Sequence, residues 1–466
     1  MDFIQQLFHI YDNYKEPMLT NRRYSHSDLM LVLKKFDNSN VIKKNLLGTS
    51  VEYRQIFLYK IGSGKKKVLL WSQMHGDEST ATSAFVDLFN FFEYSSNELF
   101  VKEKILQELT LYFIPMLNPD GAEKFIRFNA QGIDINRDAK SLQSPEAKIL
   151  LKAVEDIKPD FAFNMHDQDY RWSVGGNDKV VALSFLAPAF DDAKTVDPTR
   201  EKAINLLSGI IKLLSDYTES RITRYSDDYE PRSFGDTIAG RGISTILVEA
   251  GRWQNDLEKS YLRKLNFLVL LFAMSRIAEN FIENDSRKYF ETPYNGKFLF
   301  DLILRKVKLK INSTESIVDI AINREFHFDD NDRSSYYVSS VEAVGDLSPF
   351  YGIEEVSCEN YSLHFPKYSD ESLKLNYNEL NSGVIREYLQ NDILFLSLND
   401  FSRLDKYVRY PINVIRNEFS LDEKLIISKP ANFILKEEKI TKYVIINGFL
   451  IDYNNINFES VNGLFL

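Results

Sequence analysis

Residues 68–78 read Val-Leu-Leu-Trp-Ser-Gln-Met-His-Gly-Asp-Glu. The first four residues favour a buried strand, the polar residues favour a turn, and the pattern over Thr80–Phe92 is typical of a helix. A buried strand that leads through a short turn into a helix is the building unit of α/β sheets. The stretch therefore predicts an α/β fold. It also puts His75 and Glu78 at the carboxyl end of a strand, where open α/β sheets bind ligands.

Outward from this stretch, short apolar runs alternate with helical patterns from about residue 66 to residue 275. Such alternation predicts a mixed, mostly parallel sheet that is flanked by helices. The predicted strands are Lys67–Gln73, Leu109–Met116, Asp160–Met165, Val180–Ala187 and Ser244–Glu249. The predicted helices are Thr80–Phe92, Pro145–Ile157, Thr199–Tyr217 and Ser260–Phe281.

Beyond about residue 290 the sequence changes to β-branched and aromatic runs, which favour strands. We therefore predict an α/β catalytic domain over 1–289, with its core at about 50–280, and a β-rich accessory domain over 290–466. Asn447 and Gly448 lie between two apolar runs and predict a type I′ hairpin turn. The clearest strand patterns here are Val307–Asn312, Ile317–Ile322 and Lys442–Ile446.

Composition narrows the class of protein and of partner. The 466 residues are 44% hydrophobic, with a formal net charge of −10. This composition is typical of a globular protein, and the net negative charge disfavours nucleic acid as a partner. The most apolar run, Leu265–Met274, is about half the length needed to span a bilayer. We interpret it as a buried helix and expect no membrane partner.

Cysteine content limits the kinds of metal site. Cys358 is the only cysteine, so neither an intrachain disulfide nor a thiolate zinc site can form within one chain. Any metal must use histidine and carboxylate ligands. The first residues lack a basic start followed by a long apolar run, so we see no secretory signal and expect a cytoplasmic protein.

A third strand end strengthens the interpretation of His75 and Glu78. On their own, the two could be a loop histidine and a helix-start acid. However, His166 directly follows the predicted strand Asp160–Met165, in the same kind of position as His75. Two imidazoles and one carboxylate are a known ligand set for catalytic zinc, which lowers the pKa of bound water to about 7. We take the other histidines as structural or exposed: His9, His26, His327 and His364.

Such a site also needs a base for the proton of the attacking water. Glu249 ends the apolar run Ser244–Glu249 and is the candidate. A carboxylate in such surroundings is unusual unless it is paired or functional. A purely structural, salt-bridged carboxylate is the alternative.

Arginines between the first two metal elements suggest an anionic substrate. Asn118–Gly121 has the composition of a turn, Arg127 follows it, and residues 132–137 read Gly-Ile-Asp-Ile-Asn-Arg. Arginine can hold a carboxylate through two parallel hydrogen bonds, and a neighbouring asparagine can add a donor. Both arginines could instead be surface ion-pair partners.

Together, these motifs resemble the zinc metallocarboxypeptidase family over about residues 50 to 280. The resemblance implies that one zinc ion is held by His75, Glu78 and His166, and that Glu249 activates water for attack on the scissile carbonyl. The remaining implied roles are oxyanion stabilisation by Arg127, a clamp on the substrate carboxylate by Asn136 and Arg137, and orientation of His75 by Asp134.

The family also uses a mobile tyrosine shortly before the base. Tyr225 and Tyr229 both precede residues 233–236, and we prefer Tyr229 because its interval of seven residues to Asp236 is close to the usual one. Specificity in the family depends on residues near Gly235–Thr237, which carry no clear diagnostic here. Asp138 departs from a frequent asparagine, which we expect to alter the carboxylate pocket.

The expected substrate is a peptide or a small acyl amino acid with a free carboxylate. One alternative activity is removal of an acyl group from an N-acyl amino acid, as in the related desuccinylase and aspartoacylase branch, whose members also carry a β-rich domain. Another is cleavage of cell-wall peptides. A binding protein without catalysis would be expected to have lost a ligand or the base, and none of these residues is missing.

Overall fold

The computed structural model divides the chain into two compact units, Met1–Lys297 and Phe298–Leu466. The boundary falls after a short helix, Arg287–Glu291, whose Tyr289 is buried in the first unit. The sequence patterns predicted the boundary between the two domains after residue 289. The structure describes residues 3–95, 100–328, 335–371, 375–398, 407–408, 410–415, 425–456 and 463–466.

The first unit contains an eight-stranded mixed sheet, in the order β1-β2-β4-β3-β5-β9-β7-β8. Neighbours from β4 through β3 and β5 to β9 are parallel, whereas β1, β2 and β4 pair antiparallel and so do β9 and β7. The predicted fold class is confirmed. The strands of this unit are β1 (Ile42–Thr49), β2 (Gln55–Ile61), β3 (Lys66–Trp71), β4 (Leu109–Ile114), β5 (Phe161–Asp167), β6 (Ser173–Val174), β7 (Leu183–Leu186), β8 (Ile222–Arg224), β9 (Ser244–Ala250) and β10 (Asn295–Gly296).

All nine elements predicted in this region are present, with ends shifted by a few residues. The helices begin at the residues that sequence signals indicate: Ser144 accepts a hydrogen bond from Ala147 at the start of one helix, with Pro145 next to it. The helices are α1 (Phe3–Ile10), α2 (His26–Leu33), α3 (Thr80–Tyr94), α4 (Phe100–Glu108), α5 (Pro119–Lys124), α6 (Pro145–Ile157), α7 (Pro198–Leu214), α8 (Phe234–Ala239), α9 (Ser260–Ala278) and α10 (Arg287–Glu291).

The predicted buried helix is α9. Fifteen of its residues are buried, including the whole stretch from Leu265 to Ser275, because it packs between α3, α4 and α7 rather than against water. Among the described residues, no helix is long and apolar enough to cross a membrane.

Sequence patterns did not predict the antiparallel pair β1 and β2 or the helices α1 and α2. β1 is half exposed and irregular, with a register shift between Leu46 and Gly48. A strand of this kind lacks the clean alternation of apolar and polar residues by which strands are recognised.

The second unit is built mainly from strands. Its largest sheet has the order β13-β12-β11-β15-β20-β21-β22, and β14 pairs with β11. The predicted hairpin is present, since Asn447 and Gly448 have φ angles of 45° and 74° between β21 and β22, as a type I′ turn requires. The elements are β11 (Leu299–Ile311), β12 (Thr314–Phe328), β13 (Ser335–Gly345), β14 (Tyr351–Ser357), β15 (Ser362–His364), β16 (Lys367–Glu371), α11 (Ser382–Gln390), β17 (Ile393–Leu398), β18 (Tyr407–Val408), β19 (Asn413–Ile415), β20 (Phe433–Glu437), β21 (Ile440–Ile446), β22 (Phe449–Asp452) and β23 (Gly463–Leu464).

Candidate metal centre and active site

The turn after β3 is held in an unusual backbone conformation by its own side chains. Gln73 has a φ of 47°, which a residue other than glycine adopts only where the surroundings compensate. Its buried side chain donates to the carbonyl of Gly76 at 2.9 Å and accepts from Thr82 at 2.9 Å. These contacts fix the path of the turn that carries His75, two residues further on.

A second turn, Asn118–Gly121, packs directly against the first. A Cβ atom on Gly76 would lie 2.0 Å from the carbonyl carbon of Gly121, so only glycine permits this approach. Asn118 accepts a hydrogen bond from the Gly121 N–H at 2.9 Å and caps α5. Asp120 is fully buried and accepts from Ser50 and Arg54, at 2.7 Å each. The turn therefore serves as the support on which the first ligand loop rests.

Three buried side chains converge at the carboxyl ends of β3 and β5. Nδ1 of His75 lies 2.7 Å from Oε1 of Glu78, and Nδ1 of His166 lies 2.7 Å from Oε2 of the same carboxylate. The two imidazole rings are 4.9 Å apart. One atom from each of the three side chains lies within 4.8 Å of the others. Two ring nitrogens and one carboxylate around a common point are the donor set that zinc accepts, so these residues fit the predicted metal.

The charges within this cluster are unequal. Burial by itself would raise the pKa of Glu78, but the charges of His75 and His166 and their hydrogen bonds hold it well below its usual range. Burial lowers the pKa of His166, against the opposing effect of Glu78. Glu78 is therefore an anion, and the protein interior presents a negative charge to any cation that enters.

Asp134 contacts the outer nitrogen of His75. Its Oδ1 lies 3.1 Å from Nε2 of His75, while Nδ1 of the same ring faces Glu78. Burial alone would lower the pKa of His75, but the Glu78 charge and the hydrogen bonds to Asp134 and Glu78 raise it to about 9. The carboxylate near each nitrogen favours the doubly protonated ring, whereas Nη1 of Arg127, 3.2 Å from Nδ1, opposes it.

This geometry makes metal binding pH dependent. Zinc requires the unprotonated Nδ1, so binding below pH 9 must displace a proton from His75. The apparent zinc affinity should therefore rise by about tenfold for each pH unit below that pKa and level off above it. Competition titration against a chromogenic chelator over this pH range measures the slope.

His26 offers a matched control, because it lies outside the cluster and its ring contacts the carbonyl of Gln55. H26A should leave the pH slope of zinc affinity unchanged. A zinc affinity that does not vary with pH would contradict a doubly protonated His75.

Glu249 lies on the strand next to His166. The two residues are register partners in the parallel pair β5 and β9, so their side chains leave neighbouring positions on the same face of the sheet. Desolvation by the surrounding protein, and then the charge of Glu78, raise the pKa of Glu249 well above its usual range. Its side chain is nevertheless partly exposed. A carboxylate of raised basicity thus stands beside the metal cluster.

Arg127 points toward the same cluster. Its Nε and Nη2 donate to Oδ2 of Asp134 at 3.1 and 2.9 Å. Its Nη1 lies 3.6 Å from Oε1 of Glu78. Since Asp134 contacts both His75 and Arg127, one carboxylate positions a metal ligand and a cation together.

Asn136 and Arg137 lie together in a single helical turn just after Asp134. The amide oxygen of Asn136 accepts from the N–H of Phe234 at 3.0 Å and so holds the start of α8, and its NH2 group is the part that can meet a substrate. Arg137 donates from Nη1 to the carbonyl of Asn136 at 2.8 Å, and its Nε lies 3.7 Å from Glu230. Its side chain is 42% exposed, so an anion from solvent can reach the guanidinium.

Comparison with known families bears on this arrangement. Residues 30–164 match the family model described as zinc carboxypeptidase. This part of the chain is similar to zinc carboxypeptidases, and the predicted zinc requirement agrees with that family. The match contains His75, Glu78 and the 127–137 segment and ends two residues before His166.

Several solved structures are similar to part of this chain. A metallo-carboxypeptidase from Burkholderia cenocepacia is 18% identical, with a TM-score of 0.45, over 56% of this chain and 70% of that one. One from Pseudomonas aeruginosa, in complex with (2-guanidinoethylmercapto)succinic acid, is 15% identical, with a TM-score of 0.44 and the same coverage. Carboxypeptidase A from Helicoverpa armigera is 13% identical, with a TM-score of 0.43, over 60% of this chain and 80% of that one. A search of curated protein sequences gives no match.

The two candidate tyrosines differ in their surroundings. Burial, and then the negative charge of Glu249, raise the pKa of Tyr225 to about 12, while the charges of Arg127 and Arg137 oppose this. Its phenol thus lies in the electrostatic field of the site. Tyr229, which the spacing favoured, is half-buried in the same loop.

Asp138 is a structural residue of the domain. It is buried, and its carboxylate accepts from the N–H groups of Gln143 and Ser144 at 2.8 and 2.7 Å and from the Ser144 hydroxyl at 2.8 Å. Its oxygens are therefore occupied at the start of α6, and an effect of Asp138 on the carboxylate pocket stays a prediction. Asp236 is similarly engaged with Ser233 and the Glu230 N–H.

Sequence reasoning missed Asp167. Its N–H donates to Oε2 of Glu78 at 3.2 Å, and its carboxylate accepts from Thr80 at 2.7 Å and lies 3.2 Å from the ammonium of Lys259. It thereby connects β5 to the start of α3 and fixes Glu78 from the side opposite His75. The sequence feature that could have identified Asp167 is its position directly after His166.

Proposed function

We propose that this protein is a metallocarboxypeptidase that hydrolyses the last amide bond of a peptide. The observation that carries the proposal is the convergence of His75, Glu78 and His166 within 4.8 Å, with Glu249 on the adjoining strand. A bound zinc ion acts as a Lewis acid and makes water a usable nucleophile near neutral pH. The remaining parts of the reaction belong to side chains of this chain.

Glu249 is the proposed general base. It takes a proton from the attacking water and later delivers that proton to the leaving amine. Its raised pKa favours the first transfer, because the carboxylate binds a proton more readily than an ordinary glutamate does, and keeps the proton available for the second. A carboxylate of ordinary pKa would be a weaker acceptor of that proton. Its partial exposure leaves room for water and substrate beside it.

Arg127 is the proposed donor to the oxyanion that develops on the scissile carbonyl. Its guanidinium is held by Asp134 on one side, so Nη1 remains directed at the metal cluster. A donor that is already oriented before the reaction does not have to be reorganised during it, which is the basis of oxyanion stabilisation.

Asn136 and Arg137 are the proposed clamp on the terminal carboxylate of the substrate. A guanidinium and an amide NH2 together satisfy a carboxylate through charge-assisted hydrogen bonds. A substrate carboxylate held by this pair would place the last amide bond of the peptide at the cluster and so restrict cleavage to that bond.

Removal of the clamp tests this proposal. R137A should raise KM for peptides with a free carboxylate by about tenfold or more, because a charge-assisted hydrogen bond contributes about 1.5–3 kcal/mol. Peptides with an amidated end should be cleaved poorly by both proteins and should show a much smaller change. Steady-state kinetics on paired free and amidated peptides measures the difference.

Arg232 provides the matched control, since it is an exposed arginine that pairs with the same Glu230 at 2.6 Å. R232A should leave the kinetics on both kinds of peptide unchanged. An equal loss of activity on free and amidated peptides in R137A would argue against the clamp.

We further propose Tyr225, rather than Tyr229, as the tyrosine that contacts substrate. Its electrostatic coupling to Glu249, Arg127 and Arg137 supports this assignment. Y225F should raise KM several-fold with little loss of thermal stability, and Y229F should have the smaller effect. The reverse order of the two KM values would restore the assignment made from spacing.

A mixture of peptides, N-acyl amino acids and cell-wall peptides, incubated with the zinc-loaded protein and read by mass spectrometry, tests the reaction class. Loss of single C-terminal residues from peptides is the expected result. Products only from acyl amino acids or only from cell-wall peptides would replace the proposal with one of those activities.

A further inference from the structure

Lys259 departs from what is usual for the residue before a helix. It stands directly before α9, yet its φ is 53°, its side chain makes no capping hydrogen bond, and the residue is buried. Serine, threonine, asparagine and aspartate are favoured at this position, and a cation there is repelled by the positive end of the helix dipole. Such backbone strain persists only where the surroundings compensate for it. The contacts of the lysine side chain must therefore supply that compensation.

A neighbouring residue caps α9 in place of Lys259. Asp256 accepts from the N–H groups of Ser260 and Tyr261 at 2.7 and 2.8 Å. The first turn of the helix is thus stabilised without the lysine side chain. That side chain lies in the protein interior instead, where its ammonium group contacts the ends of two strands.

The ammonium group of Lys259 connects the ends of β5 and β9. Its Nζ donates to the carbonyl of Ala250 at 3.1 Å and lies 3.2 Å from Oδ2 of Asp167. Asp167 and Ala250 are register partners in this parallel pair. The residues directly before them are His166 and Glu249, which are register partners too. The cation therefore bridges the two strands one residue beyond the metal ligand and the base.

The same ammonium group is joined to Glu78 through Asp167. The N–H of Asp167 donates to Oε2 of Glu78, and its carboxylate accepts from Thr80 in the first turn of α3. The side chains of Lys259 and Asp167 are only 8% and 5% exposed, so water screens their attraction little. One buried cation is thus tied to the strand of the base and, through a single carboxylate, to the elements that carry Glu78 and His166.

From these contacts we infer that Lys259 is a positioning residue, which holds Glu249 at a fixed place relative to His166 and Glu78. The inference rests on the proposed function, in which Glu249 is the base. Its carboxylate must face the attacking water, and a misplacement of about 1 Å can lower the rate by roughly 100-fold. Both strands end one residue further on, so the ammonium bridge adds a connection that strand pairing does not supply.

A double substitution separates positioning from a contribution to stability. K259M alone leaves the Asp167 carboxylate buried without its cation, which is strongly destabilising, so its melting temperature should fall. K259M/D167N removes both charges, and asparagine keeps the N–H that contacts Glu78 and an oxygen that can accept from Thr80. The melting temperature of the double variant should return close to that of the parent protein, since replacing both members of a buried ion pair is often neutral.

In K259M/D167N we expect kcat to stay about tenfold or more below the parent value, while KM and zinc affinity remain within about twofold. The metal ligands and the proposed carboxylate clamp are all present in this variant, so only the step that uses the base is slowed. Steady-state kinetics and competition against a chromogenic chelator measure the three quantities. A kcat that recovers together with the melting temperature would overturn the inference, whereas a parent protein that cleaves no peptide would contradict the proposed function instead.

Hydrogen exchange on the metal-free protein gives a readout that does not depend on catalysis. The N–H of Gln168 donates at 3.0 Å to the Ala250 carbonyl, the same oxygen that Lys259 contacts. In K259M/D167N this N–H should exchange about fivefold faster than in the parent protein, as expected when one nearby hydrogen bond is lost. An unchanged rate would show that the strand ends are held without the ammonium bridge and would overturn the inference.

Lys102 provides the matched control. It is another buried lysine whose ammonium group donates to a backbone carbonyl, that of Ser95 at 2.9 Å, but it lies in α4. K102M should keep the parent kcat, the parent zinc affinity and the parent exchange rate of the Gln168 N–H. An equal loss of kcat in K102M and K259M/D167N would mean that removing any buried ammonium group lowers turnover, and would overturn the specific role of Lys259.

Discussion

E249Q is expected to lower kcat by about a hundredfold or more while the protein keeps its zinc. General acid–base groups contribute about 10²–10⁴-fold, and an amide cannot accept the proton of the attacking water. Glutamine has the same shape, so the metal cluster and the pairing of β5 with β9 should be preserved. Steady-state kinetics and metal analysis on the same preparation measure both quantities.

The physical basis is the raised pKa of Glu249. Desolvation and the neighbouring Glu78 charge make its carboxylate a stronger base than one in water. Activity that depends on the ionised form should decline as the pH falls through this raised pKa, which lies above the usual value for glutamate. In E249Q the residual activity should lose that acidic limb of the profile.

Glu155 is the matched control for E249Q, because it is an exposed glutamate on α6 that pairs with Arg241. E155Q should retain full activity and the parent pH profile. An E249Q protein with unchanged turnover would refute the role of general base, and one that loses zinc would point to a role in metal binding instead.

H166A is expected to abolish stoichiometric zinc binding and, with it, activity. Two protein ligands would remain of three, and the loss should exceed the roughly 10–100-fold in affinity that follows replacement of a group that only supports a ligand. The methyl side chain also leaves Oε2 of Glu78 without its 2.7 Å contact to Nδ1. Dialysis against limiting zinc followed by elemental analysis gives the stoichiometry.

His9 supplies the control, since it is exposed on α1. H9A should bind one zinc ion per chain and keep its activity. Retention of one tightly held ion by H166A would show that the third ligand lies elsewhere and would remove the basis of the proposed site.

Much of the site could be predicted from sequence because its residues follow buried strands. His166 and Glu249 each end an apolar run, His75 follows one after a short turn, and the carboxyl ends of neighbouring parallel strands meet at one edge of a sheet. The contact between Asp134 and His75 is different in kind: it joins residues 59 positions apart, and only the resemblance to a family suggested it.

For Asp138 and the two tyrosines, the local sequence was not sufficient to predict the role of the side chain. Nothing within the sequence around Asp138 indicates that its carboxylate is used at the start of α6. Spacing alone favoured Tyr229, whereas the effect of Glu249 and Arg127 on the pKa of Tyr225 supports our proposal of Tyr225. The role of Asp138 and the choice between the two tyrosines both depend on the path of the loop that carries each residue.

Periodicity and strand-end position were sufficient for the α/β class, for nine elements and for the candidate ligands, since these follow from interactions between residues close in the chain. The convergence of three ligands on one point and the sharing of Asp134 by His75 and Arg127 came only from the folded chain. They depend on which distant strands become neighbours and on the space left between them, and no local pattern carries that information.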